Sequence, residues 1–120
     1  MDNVSTHILN TSTGNPAVGV RLVILRCTNE LCLSDYDDEL CFSPPLCEAV
    51  TNHDGRASLV FDITPGVYKA CFFVGLYFES EGTKTFYPKI DIVFRISEIT
   101  KHYHIPLLLS PFGYSTYRGS

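Results

Sequence analysis

Between residues 88 and 96 every second residue from Ile90 onward is a large apolar one. Ile90, Ile92, Phe94 and Ile96 fall on one side, Asp91, Val93 and Arg95 on the other. A period of two buries one face only when the backbone is extended, because successive strand side chains point to opposite faces. Other runs of extended character recur along the chain. Residues 4–10 place Ser5, His7 and Leu9 on one face, and residues 57–63 set Leu59, Phe61 and Ile63 against Ser58, Val60 and Asp62. Residues 19–27, 48–51, 67–74 and 112–117 are strand-like too, as is the apolar run that follows His104.

Turn chemistry separates these runs. Residues 11–16 carry Ser, Thr, Gly, Asn and Pro, and Asp54-Gly55, Thr64-Pro65-Gly66 and Ser110-Pro111 punctuate the rest. Asp54-Gly55 is expected to fold residues 57–63 back onto 48–51 as a tight hairpin, with Arg56 first out of the turn. Pro106 lacks an N–H for the ladder, so its part of the last apolar run is expected to be an edge or a bulge. Only residues 75–84 read as helix, one or two turns long. About eight short strands, spaced roughly eight to twelve residues apart, predict an all-β sandwich.

The 120 residues suit one domain spanning 1–120, interrupted by a long irregular loop at about 28–47. Asp35, Asp37, Asp38 and Glu39 in that loop read as a solvated face. A formal charge of −4 argues against nucleic acid or a membrane surface as partner. No apolar run approaches the ~20 residues of a membrane span. The N-terminus shows no basic region followed by an apolar core, so no secretory signal is expected. Gly119-Ser120 is not a Ser-Lys-Leu type of peroxisomal ending. A cytoplasmic protein is the default expectation, with peroxisomal import by another route left open. Without a secretory signal, Cys27, Cys32, Cys41, Cys47 and Cys71 are expected to be reduced thiols. Separations of nine and six residues among Cys32, Cys41 and Cys47 match no zinc template.

The chemistry-bearing residues gather near the ends. His53 rides a turn and reads as a surface histidine. His7 lies on a strand, and His104 leads into an apolar run, where burial would disfavour its imidazolium and leave a neutral base near pH 7. His102 and His104 share a strand face, and with His7 they form a trio that zinc chemistry also uses. An arginine aimed at the same region opposes a bound cation, so no metal is assigned. Arg56, Tyr117, Arg118 and Ser120 complete the polar set, and a guanidinium fork suits a flat, oxygen-rich anion. There is no G-x-S-x-G elbow and no glycine-rich phosphate loop. Histidine-assisted attack of water therefore has more support than a covalent serine or cysteine route.

Four segments carry a resemblance: Ser5-Thr6-His7-Ile8-Leu9-Asn10, Thr51-Asn52-His53-Asp54-Gly55-Arg56, His102-Tyr103-His104-Ile105-Pro106-Leu107, and terminal Tyr117-Arg118-Gly119-Ser120. Together they resemble the 5-hydroxyisourate hydrolases of the transthyretin-like family, from about residue 5 to the last, interrupted chiefly at 28–47. The histidine pair and the Tyr-Arg-Gly-Ser ending separate that group from transthyretin, the hormone carrier of the same fold. The resemblance implies a sandwich of two four-stranded sheets with one short helix. It further implies a homotetramer, a dimer of dimers with sites in the channel between dimers, and no cofactor. The small-molecule substrate would be 5-hydroxyisourate, a cyclic amide opened at N1–C6 to 2-oxo-4-hydroxy-4-carboxy-5-ureidoimidazoline. The family's catalytic positions fall on His7, Arg56, His104 and Ser120. His7, Arg56, Tyr117, Arg118 and Gly119 would bind substrate, and the base would be His104 or His7. A binding protein for thyroid hormone or another aromatic acid, and a zinc amidohydrolase, stand as alternatives.

Overall fold

The computed structural model describes residues 4–30, 33 and 41–119. Cys32, the acidic run at Asp35, Asp37, Asp38 and Glu39, and Ser120 lie outside the described residues.

Nine strands and one helix form among the described residues: β1 Val4–Asn10, β2 Asn15–Pro16, β3 Arg21–Arg26, β4 Cys47–Val50, β5 Arg56–Leu59, β6 Gly66–Phe72, α1 Val74–Ser80, β7 Ile90–Ile96, β8 Tyr103–Ser110 and β9 Gly113–Thr116. One sheet runs β2-β1-β8-β9 with β5 also on β1, and the other runs β4-β3-β6-β7. Strand β5 pairs with residues 4–7 of β1, and β2 with Leu9 and Asn10, so the two share one edge and the sheet stays four strands wide. The expected sandwich is present, with one more short strand than expected. Strands β1 and β8 run parallel at its centre, which joins the two ends of the chain.

The core lies between the sheets. Val4, Ile8, Leu59, Leu107 and Leu109 face Leu22, Ile24, Tyr68, Phe72, Ile90 and Ile96, all essentially without solvent contact. Burying each such side chain stabilises by about 1.5–3 kcal/mol. Two polar groups on the inner face of β1 are satisfied there: Thr6 Oγ1 donates to the Ile105 carbonyl at 2.6 Å, and Asn10 donates to the Tyr77 hydroxyl at 3.1 Å. Helix α1 turns Val74, Tyr77 and Phe78 inward, the i, i+3, i+4 stripe of a helix packed on one side.

Two expectations are corrected. Strand β5 does not fold back onto β4 but crosses to the other sheet and pairs with β1. The side chain of Asn52 organises the crossing: its Oδ1 accepts from the backbone N–H groups of Asp54 and Arg56 at 2.9 and 3.0 Å. Gly55 has φ +73°, and a Cβ there would stand 2.5 Å from the Ile8 carbonyl oxygen, so only glycine brings this turn against β1. Pro106 is likewise neither at an edge nor in a bulge, since β8 lies between β1 and β9. The carbonyls of His104 and Pro106 accept from the Gly119 N–H and the Thr116 hydroxyl, so this side of β8 faces the last strand. The β9 ladder stops at Leu107↔Thr116 and contact resumes only at His104↔Gly119. Pro106 occupies the gap, where no ladder partner waits for an N–H.

The described parts of the 28–47 segment cover the outer face of the second sheet. Cys41 is fully buried, Cys27 bridges to Phe42, and the Lys69 ammonium sits 4.2 Å over the Phe42 ring. Val23, Val67, Lys69 and Cys71 are therefore buried although they point away from the core. Cys27, Cys47 and Cys71 are free thiols, and burial, helped by Asp91, raises the Cys71 pKa to about 11.

Candidate active site

Alternation on β1 sends Val4, Thr6, Ile8 and Asn10 into the core and leaves Ser5, His7 and Leu9 half-buried on the outer face of the sheet. Register then decides their company. On one side of β1, His7 stands opposite Arg56 and Ser5 opposite Ser58. On the other, Ser5 stands opposite His104 and His7 opposite Pro106. His104 in turn bridges to Gly119. Two neighbouring rungs, Arg56–His7–Pro106 and Ser58–Ser5–His104–Gly119, therefore carry the cluster on one face, with strands about 4.8 Å apart.

Within the cluster Ser5 Oγ lies 2.8 Å from His104 Nδ1 and 2.9 Å from His102 Nε2. The Gly119 N–H donates to the His104 carbonyl at 2.9 Å, so the end of the chain folds back onto β8. Gly119 packs so tightly that an added Cβ would stand 2.6 Å from His104 Cδ2 and 3.1 Å from Pro106 Cγ. The ring of His104 is thus held by a hydroxyl at Nδ1 and by backbone along its Cδ2 edge, which leaves Nε2 for chemistry.

Burial pushes the His104 pKa below that of an ordinary histidine, and the charges of Arg56, His102 and His7 push it the same way, against a smaller opposing effect from Ser5. Arg56 takes part in none of the ion pairs among the described residues. Its guanidinium is open to an anionic or carbonyl-rich ligand.

The face thus brings together His7, Arg56, His104 and Gly119. Arg118 instead stacks over the Tyr103 ring at 4.7 Å, and Tyr117 is exposed beside it. Both line a cavity of about 290 Å³ that runs past Phe94 and Arg95 of β7 and reaches His104. Cavity and outer face meet at that imidazole. His53 stays in its turn, 3.4 Å from Asp54 and largely exposed. Among the described residues no three His, Cys, Asp or Glu side chains converge as metal ligands.

Sequence reasoning does not single out Ser5 as a site residue, and it weighs His102 only as a possible zinc ligand. The signal for Ser5 is its place on the same strand face as His7. What no pattern reveals is the parallel β1/β8 pairing that sets it opposite His104.

A two-sheet sandwich whose outer face gathers imidazoles, a guanidinium and a hydroxyl defines an acid–base-competent protein with an anion-attracting surface. Residues 4–119 match the profile described as the HIUase/Transthyretin family, and the chain belongs to that family. It is 42% identical to a 5-hydroxyisourate hydrolase of Salmonella typhimurium over 120 residues, covering 98% of this chain and 80% of the relative. The solved 5-hydroxyisourate hydrolase of Klebsiella pneumoniae superposes with a TM-score of 0.77 at 33% identity, covering 98% of this chain and 92% of the other. Sea bream transthyretin, solved with thyroxine, superposes with a TM-score of 0.83 at 26% identity, covering 98% and 94%.

Proposed function

We propose that this chain is a hydrolase that opens 5-hydroxyisourate at its N1–C6 amide with water, giving 2-oxo-4-hydroxy-4-carboxy-5-ureidoimidazoline. The observation that carries the reading is the placing of His7, Arg56 and His104 on two adjacent rungs of one exposed sheet face. Hydrolysis of a ring amide needs a base for water, charge stabilisation for the oxyanion and a proton for the departing nitrogen. His104 serves as the base through Nε2, because its surroundings keep it neutral. Arg56 holds the substrate oxygens through its fork, and His7, its cross-strand partner, grips the ring from the same rung. Gly119 closes the site along His104 and Tyr117 and Arg118 bound the substrate from the adjoining cavity, while the hydroxyl of Ser120 is a role the family resemblance adds. No cofactor enters the scheme.

The open face also suits assembly. We place a second copy across it, in a homotetramer built as a dimer of dimers, with a solution mass four times the 13.4 kDa of the chain. Sedimentation equilibrium tests this; a monomer at assay concentrations contradicts it. The compartment assigned is the cytoplasm.

In ¹⁸O-water, catalytic amounts of protein are expected to speed product formation and to place the label in the new carboxylate. Stoichiometric retention of an aromatic acid without faster ring opening would favour the hormone-carrier reading, which the transthyretin superposition supports. Gly119→Ala tests the tail's role. The methyl has no room against His104 and Pro106, and small misplacements near the chemistry are costly, so kcat is expected to fall about 10- to 100-fold. Thermal unfolding, measured alongside, is expected to stay within a few degrees of wild type, since Gly119 has an ordinary φ and lies outside the core.

A further inference from the structure

Ser5 Oγ bridges two imidazoles rather than one. His104 Nδ1 and His102 Nε2 lie 2.8 and 2.9 Å from it, and the rings stand 6.4 Å apart between centroids with planes inclined by 22°. A hydroxyl has one hydrogen to donate and lone pairs to accept with. It therefore donates to one ring nitrogen and accepts an N–H from the other, which ties the two tautomers together. When Ser5 donates to His102, His104 carries its hydrogen on Nδ1 and presents a bare Nε2. When Ser5 donates to His104, that hydrogen sits on Nε2 and His102 carries N–H at its own Nε2. His104 is partly buried and His102 is exposed.

We propose that Ser5 and His102 form a proton relay that lets His104 alternate between base and acid without holding positive charge beside Arg56. The proposal rests on the hydrolase reading. In the first step His104 Nε2 takes a proton from the attacking water. Its Nδ1 hydrogen passes to Ser5 Oγ as the Ser5 hydrogen passes to His102 Nε2, and His102 releases its Nδ1 proton to solvent. In the second step the C–N bond breaks and the Nε2 hydrogen of His104 goes to the leaving nitrogen. Ser5 then reprotonates His104 Nδ1, His102 reprotonates Ser5, and solvent returns a proton to His102. The relay ends as it began, and the new carboxylic acid ionises separately. Facing His104 are Ser5 and His7 from β1, Arg56 from β5, His102 from the residue just before β8 and the Gly119 backbone from the tail. Arg56, His7 and burial all oppose an imidazolium at His104. Water is the better place for the charge, and His102 is the group that reaches it.

The test is His102→Gln, whose amide keeps a hydrogen bond to Ser5 but cannot pass a proton. Position 102 is exposed, so the fold is expected to survive. Loss of one proton-transfer partner is expected to lower kcat by about tenfold with KM unchanged. Free imidazole in the buffer is expected to restore the rate in proportion to its concentration, while wild type ignores it. Ser5→Ala is expected to show a similar loss and Ser5→Thr, which keeps the hydroxyl, to regain most of it. A His102→Gln enzyme at wild-type rate, or a loss that imidazole does not relieve, overturns the relay and leaves the hydrolase reading standing. A wild-type protein that does not accelerate ring opening removes both.

Discussion

His104→Asn is expected to lower kcat for 5-hydroxyisourate hydrolysis by about 10²–10³-fold, within the range that general-base catalysis supplies. Asparagine places an amide near the position of Nδ1, so the bond to Ser5 can persist while the basic Nε2 is lost. His104 is only partly buried and lies on the outer face, so the core is not opened and the unfolding temperature is expected to move little. The rate loss then belongs to chemistry. Wild type carries the matching pH signature. In the proposed mechanism His104 acts while neutral, and its pKa lies below the ordinary histidine value of about 6.5, so activity is expected to hold at pH 7 and to fall as pH drops through the lowered pKa. In His104→Asn this acid limb is expected to vanish from the residual rate. Stopped-flow absorbance across pH checks both points; a variant within threefold of wild type would remove His104 from the mechanism.

Arg56→Gln is expected to be nearly as severe, with kcat/KM about 10²-fold lower, the scale of losing one preorganised donor to a developing oxyanion. It also has a consequence for its neighbour. Arg56 is the largest charge effect lowering the His104 pKa, after burial. Its removal eases protonation of the imidazole, so the acid limb moves to higher pH. Arg56→Lys separates the two roles. A lysine keeps the positive charge and hence the position of the limb, but its point charge lacks the fork that meets two oxygens at once. Kinetics of both variants from pH 5 to pH 9 decide the matter. An unmoved limb in Arg56→Gln would show that the two side chains do not interact.

Much of this arrangement is legible in the amino-acid sequence. The alternation in residues 4–10 and 88–96 sets which side chains face water, and the structure keeps those faces: Ile90 and Ile96 are buried, and Asp91, Val93 and Arg95 are not. Pairing partners are less legible. The Asp54-Gly55 turn reads as a hairpin because hairpins use such residues, yet Asn52 holds the chain in a turn that crosses between sheets. Pro106 reads as an edge signal because a central strand normally needs every N–H. Its tolerance depends on the last strand leaving the sheet for two residues, which is a tertiary fact. Ser5 is hidden for the same reason. Its meaning comes from lying opposite His104 in a parallel pair whose members are 99 positions apart. The 28–47 segment reads as polar, and its packing role rests on Cys41 and Phe42 meeting a sheet face that local pattern does not announce.

The most direct test of the central claim is the ultraviolet decay of 5-hydroxyisourate, freshly made from urate, with the purified chain present far below substrate concentration. An initial rate that rises linearly with protein through many turnovers, and collapses in His104→Asn, is the result expected from the cluster on the outer face. A decay no faster than in buffer alone would contradict it.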